Sequence, residues 1–185
     1  KTDSKHHYYD KNYIVYFGSL VSWKGIDTLI QAVKVVDIKL KIIGDGDQRI
    51  NLENLVKENK INHVEFLGYK SGNELKKLIM YSKLIIVPSE WYENCPYSIM
   101  EAMSYGKPVI GSNIGGIPEL VQNGETGILF EPGNAKDLAT KLKLLLSQPD
   151  LIKKFSKNAK IFIEQNCDKK KYYGELISLY QKARK

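Results

Sequence analysis

Two carboxylates stand out by their spacing. Glu93 and Glu101 lie eight residues apart in the run Pro88-Ser89-Glu90-Trp91-Tyr92-Glu93-Asn94-Cys95-Pro96-Tyr97-Ser98-Ile99-Met100-Glu101-Ala102-Met103. Pro96 suits the first turn of a helix, where its missing N–H costs nothing, and a helix starting there leaves the amides of Tyr97 and Ser98 without helical partners. Glu93 then falls in the loop before the helix and Glu101 inside it, so the two are placed to hold different parts of one ligand. A carboxylate facing a crevice accepts hydrogen bonds from paired hydroxyls, the groups that sugars present. A cap or a surface ion pair is the plainer reading of Glu101.

A second segment, Gly18-Ser19-Leu20-Val21-Ser22-Trp23-Lys24-Gly25, leads from an apolar run into a helical pattern. A glycine at a strand end and a lysine at a helix start put free amides and one cation beside the same space, which suits a phosphate. The segment is neither a Walker loop nor a dinucleotide fingerprint, because the Gly-Lys-hydroxyl order and the glycine spacing are missing. An ordinary strand-to-helix turn with a solvated lysine is the alternative. Gly44-Asp45-Gly46-Asp47 carries an Asp-x-Asp pair of the kind that holds a divalent cation on a diphosphate, but two carboxylates are too few ligands. A tight turn with Asp47 capping the next helix accounts for it more simply. His6, His7 and His63 have no ligand spacing, so no metal is expected. Cys95 is not assigned a catalytic role.

These segments need elements to position them. Apolar runs at 13–17, 40–43, 64–67, 84–87 and 109–111, rich in Val, Ile and Tyr and closed by Gly, Pro or Ser, predict strands. Between them, 25–36, 48–59, 72–82 and 96–105 show helical spacing, with Leu75, Leu78 and Ile79 on one face. A sixth strand is predicted at 127–130, and helices at 135–146, 150–165 and 168–183, the last with Asp168 as N-cap. Strand-helix alternation with two-sided apolar strands predicts an α/β fold with a Rossmann-like, doubly wound parallel sheet. In such sheets ligands bind beyond the carboxyl ends of the strands, where the segments above fall.

Composition sets the outer bounds. With 185 residues, 43% of them hydrophobic and 26% charged, the chain reads as one soluble globular domain able to bury a core, and disorder and collagen-like repeats are excluded. Two cysteines make no disulfide framework, and reduced thiols point to a cytoplasmic protein. No apolar run approaches the roughly 18 residues of a membrane span. The net charge of +7 is uneven: residues 141–185 carry 12 Lys or Arg against 4 Asp or Glu, a net +8, and the other 140 residues are net −1. A basic tail suggests an anionic partner or an acidic face within the same protein. Nucleic acid is not expected, because no recognition motif accompanies the charge. The chain opens at Lys1 with a polar stretch that reads as a linker. The expected organisation is a linker at 1–12, a Rossmann-like domain at 13–167 and a basic amphipathic helix at 168–185, the whole cut from a longer protein.

The order of motifs adds a resemblance. Glu93 and Glu101 with seven residues between them are followed by Ala102-Met103, Gly106-Lys107-Pro108-Val109-Ile110, Gly115-Gly116-Ile117-Pro118-Glu119 and Gly124-Glu125-Thr126-Gly127. The sequence from Tyr13 to about Leu146 thereby resembles the donor-binding half of the retaining glycosyltransferases of the glycogen-synthase-like superfamily, the group 1 enzymes of carbohydrate family four. The resemblance implies one half of a GT-B architecture, in which two Rossmann-like domains face each other and the second holds a nucleotide sugar, UDP- or GDP-linked, with no further cofactor. It implies an N-terminal acceptor domain as partner, without which this half is inactive.

By position, the resemblance implies that Glu101 binds the ribose hydroxyls, that Glu93 lies beside the donor sugar and that Lys24 binds the diphosphate. Glu93 and Lys24 are then the catalytic residues. Gly18, Ser19, Asn94, Cys95, Pro96, Tyr97 and Ser98 surround the donor, and Tyr69 meets the base. Ser19 stands where the family usually carries arginine, and Asn94-Cys95-Pro96 departs from its commoner glycine- and phenylalanine-bearing segment. The implied activity is retaining transfer of a hexose to a glycan or lipid-linked acceptor. The alternative is a regulatory module that binds a nucleotide sugar without transferring it. The tail is expected to brace the first domain, its rival role being peripheral contact with an anionic membrane at the inner face.

Overall fold

The structure is a computed structural model that describes residues 12–167 and 169–184. Most of the expected linker and the Asp168 cap lie outside the described residues. Six strands, β1 (Tyr13–Phe17), β2 (Lys39–Ile43), β3 (Val64–Gly68), β4 (Ile85–Val87), β5 (Val109–Ser112) and β6 (Gly127–Phe130), form one parallel sheet in the order β3-β2-β1-β4-β5-β6. The central strands β1 and β4 are apolar on both faces because both are covered, whereas β2 carries Lys39 and Lys41 and the edge strand β3 carries the exposed Glu65. Along β1, Ile14 and Tyr16 face one core, with residues of α1 (Ile26–Val33), α2 (Arg49–Glu58) and α6 (Ala135–Leu146). Tyr13, Val15 and Phe17 face the other, with residues of α3 (Gly72–Tyr81), α4 (Tyr97–Ser104) and α5 (Ile117–Leu120). Helix α7 (Pro149–Asn166) serves both cores, through Phe155 in the first and Ala159 in the second. Among the described residues no helix is long and apolar enough to cross a membrane.

The strand order reverses between β1 and β4, which pair through Val15 and Ile85. The loop after β1 runs toward β2 and the loop after β4 toward β5, so a crevice opens between them at the carboxyl ends of the strands.

The helical pattern at 25–36 forms the shorter α1, Ile26–Val33, and a separate turn precedes it. A single 3-10 turn, Ser22–Lys24, ends at Gly25, whose left-handed φ of 62° turns the chain into α1. A Cβ on Gly25 would sit 2.1 Å from the Pro88 carbonyl oxygen, so the close approach of these two loops requires glycine. Two further expectations are corrected. Gln48, not Asp47, occupies the N-cap of α2 and makes no side-chain cap bond; Asp45 instead reaches Arg49 at 3.4 Å. Pro96 takes an extended conformation at the N-cap of α4 rather than its first turn, and its carbonyl accepts from the Ile99 amide at 2.9 Å. The four-residue α5 has too little length to show a period.

Helix α8 (Lys169–Ala183) continues the basic tail and leaves Tyr172, Tyr173, Leu179 and Tyr180 between 61% and 67% exposed.

Gly25→Ala is expected to destabilise the chain by about 3 kcal/mol. Gly174→Ala, in the interior of α8 where a Cβ meets open space, should instead raise stability, by up to about 1 kcal/mol. Urea unfolding of the two variants measures both.

Candidate donor-binding site

Two adjoining cavities line the crevice, sharing Phe17 and Gly18. The larger, about 470 Å³, lies over β1, β2 and β3; its walls are Phe17, Ile43 and Leu75, its rim Ser19, Asp45, Tyr69 and Lys70. The smaller, about 260 Å³, lies over β1 and β4 and gathers Tyr16, Lys24, Ser89 and Glu93 against Cys95, Pro96, Tyr97 and Ser98 at the start of α4. Gly18, Lys24, Glu93, Cys95, Pro96, Tyr97 and Ser98 thus meet around one space, while Ser19 and Tyr69 line its neighbour. Asn94 and half-buried Glu101 line neither of these two cavities.

The feature that spacing did not reveal is an ion pair between Lys24 and Glu93, both partly buried. The Ser89 hydroxyl donates to the same carboxylate oxygen, Oε1 of Glu93, at 2.8 Å, and Ser89 is itself buried. Expected as separate contacts, Lys24 and Glu93 instead neutralise each other at one point of the crevice. Backbone contacts hold the pair in place. The Glu90 amide donates to the Trp23 carbonyl at 2.8 Å, and the Gly116 amide to the Glu93 carbonyl at 2.6 Å. Glu90 in turn accepts from the buried Thr28 hydroxyl at 2.6 Å, which ties the loop after β4 to α1. Ser89, Glu90 and Thr28 carry no sequence signal of their own, since Thr28 and Glu90 are partners 62 residues apart and Ser89 acts through Glu93 in a local turn. Gly116 belongs to a motif quoted above, but its contact with Glu93 needs the fold.

The Gly44-Asp45-Gly46-Asp47 turn is accounted for by packing. A Cβ at Gly44 would lie 1.8 Å from the Gly18 carbonyl oxygen and one at Gly46 2.3 Å from that of Leu20. The loop after β2 therefore lies backbone to backbone on the loop after β1, and the Leu20 amide donates to the Asp45 carbonyl at 2.9 Å. Among the described residues no three His, Cys, Asp or Glu side chains gather as a metal site. Cys95 and Cys167 are both free thiols, and burial, with the Cys95 thiol second, pushes that of Cys167 up.

A parallel sheet with helices on both faces and a crevice at the reversal of strand order defines a Rossmann-like α/β domain. Residues 1–162 match the model of the glycosyl transferases group 1 family, and the chain belongs to that family. It is 37% identical over 153 residues to an uncharacterised glycosyltransferase of Methanocaldococcus jannaschii, a match covering 83% of this chain and 43% of the relative. The Anabaena protein HepE, solved with UDP, superposes with a TM-score of 0.86 at 26% identity, over 93% of this chain and 49% of HepE. A C-terminal domain of a group 1 glycosyl transferase from Francisella tularensis shares the fold, with a TM-score of 0.76 at 24% identity over 85% of this chain and 87% of that domain. The chain spans less than half the length of the Methanocaldococcus relative.

Thr28→Val keeps the shape of the side chain but removes the donor to Glu90. It is expected to cost about 1.5 to 3 kcal/mol, read as a lower unfolding midpoint in urea.

Proposed function

We propose that this chain is the donor-binding half of a GT-B glycosyltransferase and holds a nucleoside diphosphate sugar for retaining transfer of a hexose. The observation that carries the reading is the pair of adjoining cavities at the strand-order reversal, one apolar and one built from Lys24, Glu93 and the start of α4. HepE has been solved with UDP-glucose as well as with UDP, which supports a nucleotide sugar as ligand. The base and ribose occupy the larger cavity beside Tyr69, and the diphosphate and sugar the smaller. Glu101, one helical turn beyond Tyr97, serves the ribose hydroxyls.

Transfer breaks the bond between the anomeric carbon and the diphosphate, leaving an oxocarbenium-like sugar and a nucleoside diphosphate whose negative charge needs fixed donors. Lys24 and the amides of Tyr97 and Ser98 supply them without a metal. As the diphosphate draws Lys24 toward itself, Glu93 is freed to accept from the sugar hydroxyls and so hold the ring. The acceptor attacks from the leaving-group face, and the departing phosphate takes its proton. An N-terminal domain positions the acceptor and excludes water, so this chain alone binds without transferring. The unpacked apolar side chains of α8 are the surface that braces that domain.

Calorimetry with UDP and GDP tests the reading. Lys24→Met and Glu101→Gln should each weaken the nucleoside diphosphate that binds, by about tenfold or more. Glu93→Gln, which removes the carboxylate competing for Lys24, should leave the free nucleotide at least as tightly bound while lowering the preference for its sugar conjugate. A chelator should change nothing. A chain that binds neither nucleotide overturns the reading. For α8, Leu179→Asp should leave this chain's stability within about 0.5 kcal/mol and lower the unfolding temperature of the protein with its N-terminal domain.

A further inference from the structure

The donor reading gives no task to Tyr16. This residue, 3% exposed at the end of β1, lines the smaller cavity with Lys24, Ser89 and Glu93. Its hydroxyl donates at 2.8 Å to the carbonyl oxygen of Ser19, three residues on in the turn above the cavity. Burial, and after it the Glu93 carboxylate, holds the phenol far above the ordinary tyrosine pKa, so it stays a neutral donor wherever the fold persists.

The bonds of this turn leave one peptide between two fixed ones. The Ser19–Leu20 peptide is held at both ends, its carbonyl by Tyr16 and its amide by the Asp45 carbonyl at 2.9 Å. The Gly18 amide donates to the Ile43 carbonyl at 3.0 Å. Among the described residues no protein acceptor takes the Ser19 amide in between. Ser19 lines the larger cavity next to Phe17 and Gly18, where the smaller one adjoins it, and the smaller is short of positive charge, since its lining holds one cation, Lys24, already paired with the one carboxylate, Glu93. An anion entering such a space depends on backbone N–H groups, which help most when they are fixed before the ligand arrives.

We propose that Tyr16 is a positioning residue for the donor's diphosphate: its bond to the Ser19 carbonyl fixes the turn so that the Ser19 amide stands ready as a phosphate donor. The inference rests on the donor-binding reading and adds to it a role for a buried phenol whose hydroxyl is committed to the Ser19 carbonyl. A purely structural role would weaken all parts of the ligand alike. Positioning of one amide weakens only the phosphate part.

The test compares UDP, by calorimetry, with uridine, by NMR titration, on the 185-residue chain and its variants. Tyr16→Phe is expected to lower UDP affinity about tenfold and to leave uridine affinity within about twofold. Ser19→Arg should tighten UDP but not uridine, and in the double variant should recover the affinity lost by Tyr16→Phe, because a cation does not need the peptide to be fixed. Equal UDP affinity in wild type and Tyr16→Phe overturns the inference, as does a matching loss for uridine or an unchanged UDP affinity in Ser19→Arg. A wild-type chain that binds no nucleoside diphosphate overturns the donor reading and this inference with it, whereas the other failures leave the donor reading standing.

Discussion

Lys24 and Glu93 meet across 69 residues of sequence because the sheet reverses its strand order between β1 and β4. The loops leaving those two strands diverge toward opposite sides of the sheet, so they frame a gap that neither fills. The ion pair spans the gap at its floor. Its two loops are fixed to each other by the bond from Glu90 to Trp23 and by the fit of Gly25 against Pro88. The start of α4, the Ser89 hydroxyl and the turn at Ser19 all take their places from that frame. A partly buried ion pair contributes little net stability by itself, because desolvation offsets its attraction. Its importance is positional, since it sets which charges an incoming ligand must exchange.

That exchange gives the crevice its electrical character. Lys24 is matched by Glu93, Arg49 bonds Glu53 and Asp45, and Lys70 pairs with Glu74 at 2.8 Å. The surplus positive charge of the chain lies in residues 141–185 and not in the residues around the crevice. A strong field of fixed cations would attract any polyanion. A nearly neutral cleft with oriented amides selects an anion of the right shape and leaves discrimination to geometry.

The elements were legible where a local pattern decides them. All six strands fall within one residue of their expected bounds, because a parallel strand covered on both faces must be continuously apolar and needs a breaker at its end. The helices were legible from their apolar faces. What escaped is what depends on tertiary partners. Asp47 has the right type for a cap, but the packing of Gly44 and Gly46 on the neighbouring loop sets where α2 begins, and the cap position passes to Gln48. Lys24 and Glu93 were both picked out, each for a ligand, but no spacing rule joins residues so far apart. Tyr16 read as one more apolar position of β1, and only the fold brings its hydroxyl under the Ser19 carbonyl.

The crevice has one wall. Trp23 beside Lys24, Trp91 and Tyr92 beside Glu93, and Tyr97 at the start of α4 are all exposed, with Trp91 and Tyr92 standing edge to face at 6.3 Å between ring centres. Large aromatics gathered on a binding loop are costly to leave in water and effective when covered. The proposed N-terminal domain would close over this side and shut water out of the space between Lys24 and Glu93, strengthening every charge interaction there. On the proposed reading, the nucleotide needs only this wall, because its contacts would come from the loops after β1, β2 and β3 and from α4. The chemical step would need both walls, because an acceptor has to be held against the sugar in a space without water. Binding and transfer would then be separable, and the glutamate proposed to hold the sugar would become available only once the phosphates had taken its lysine.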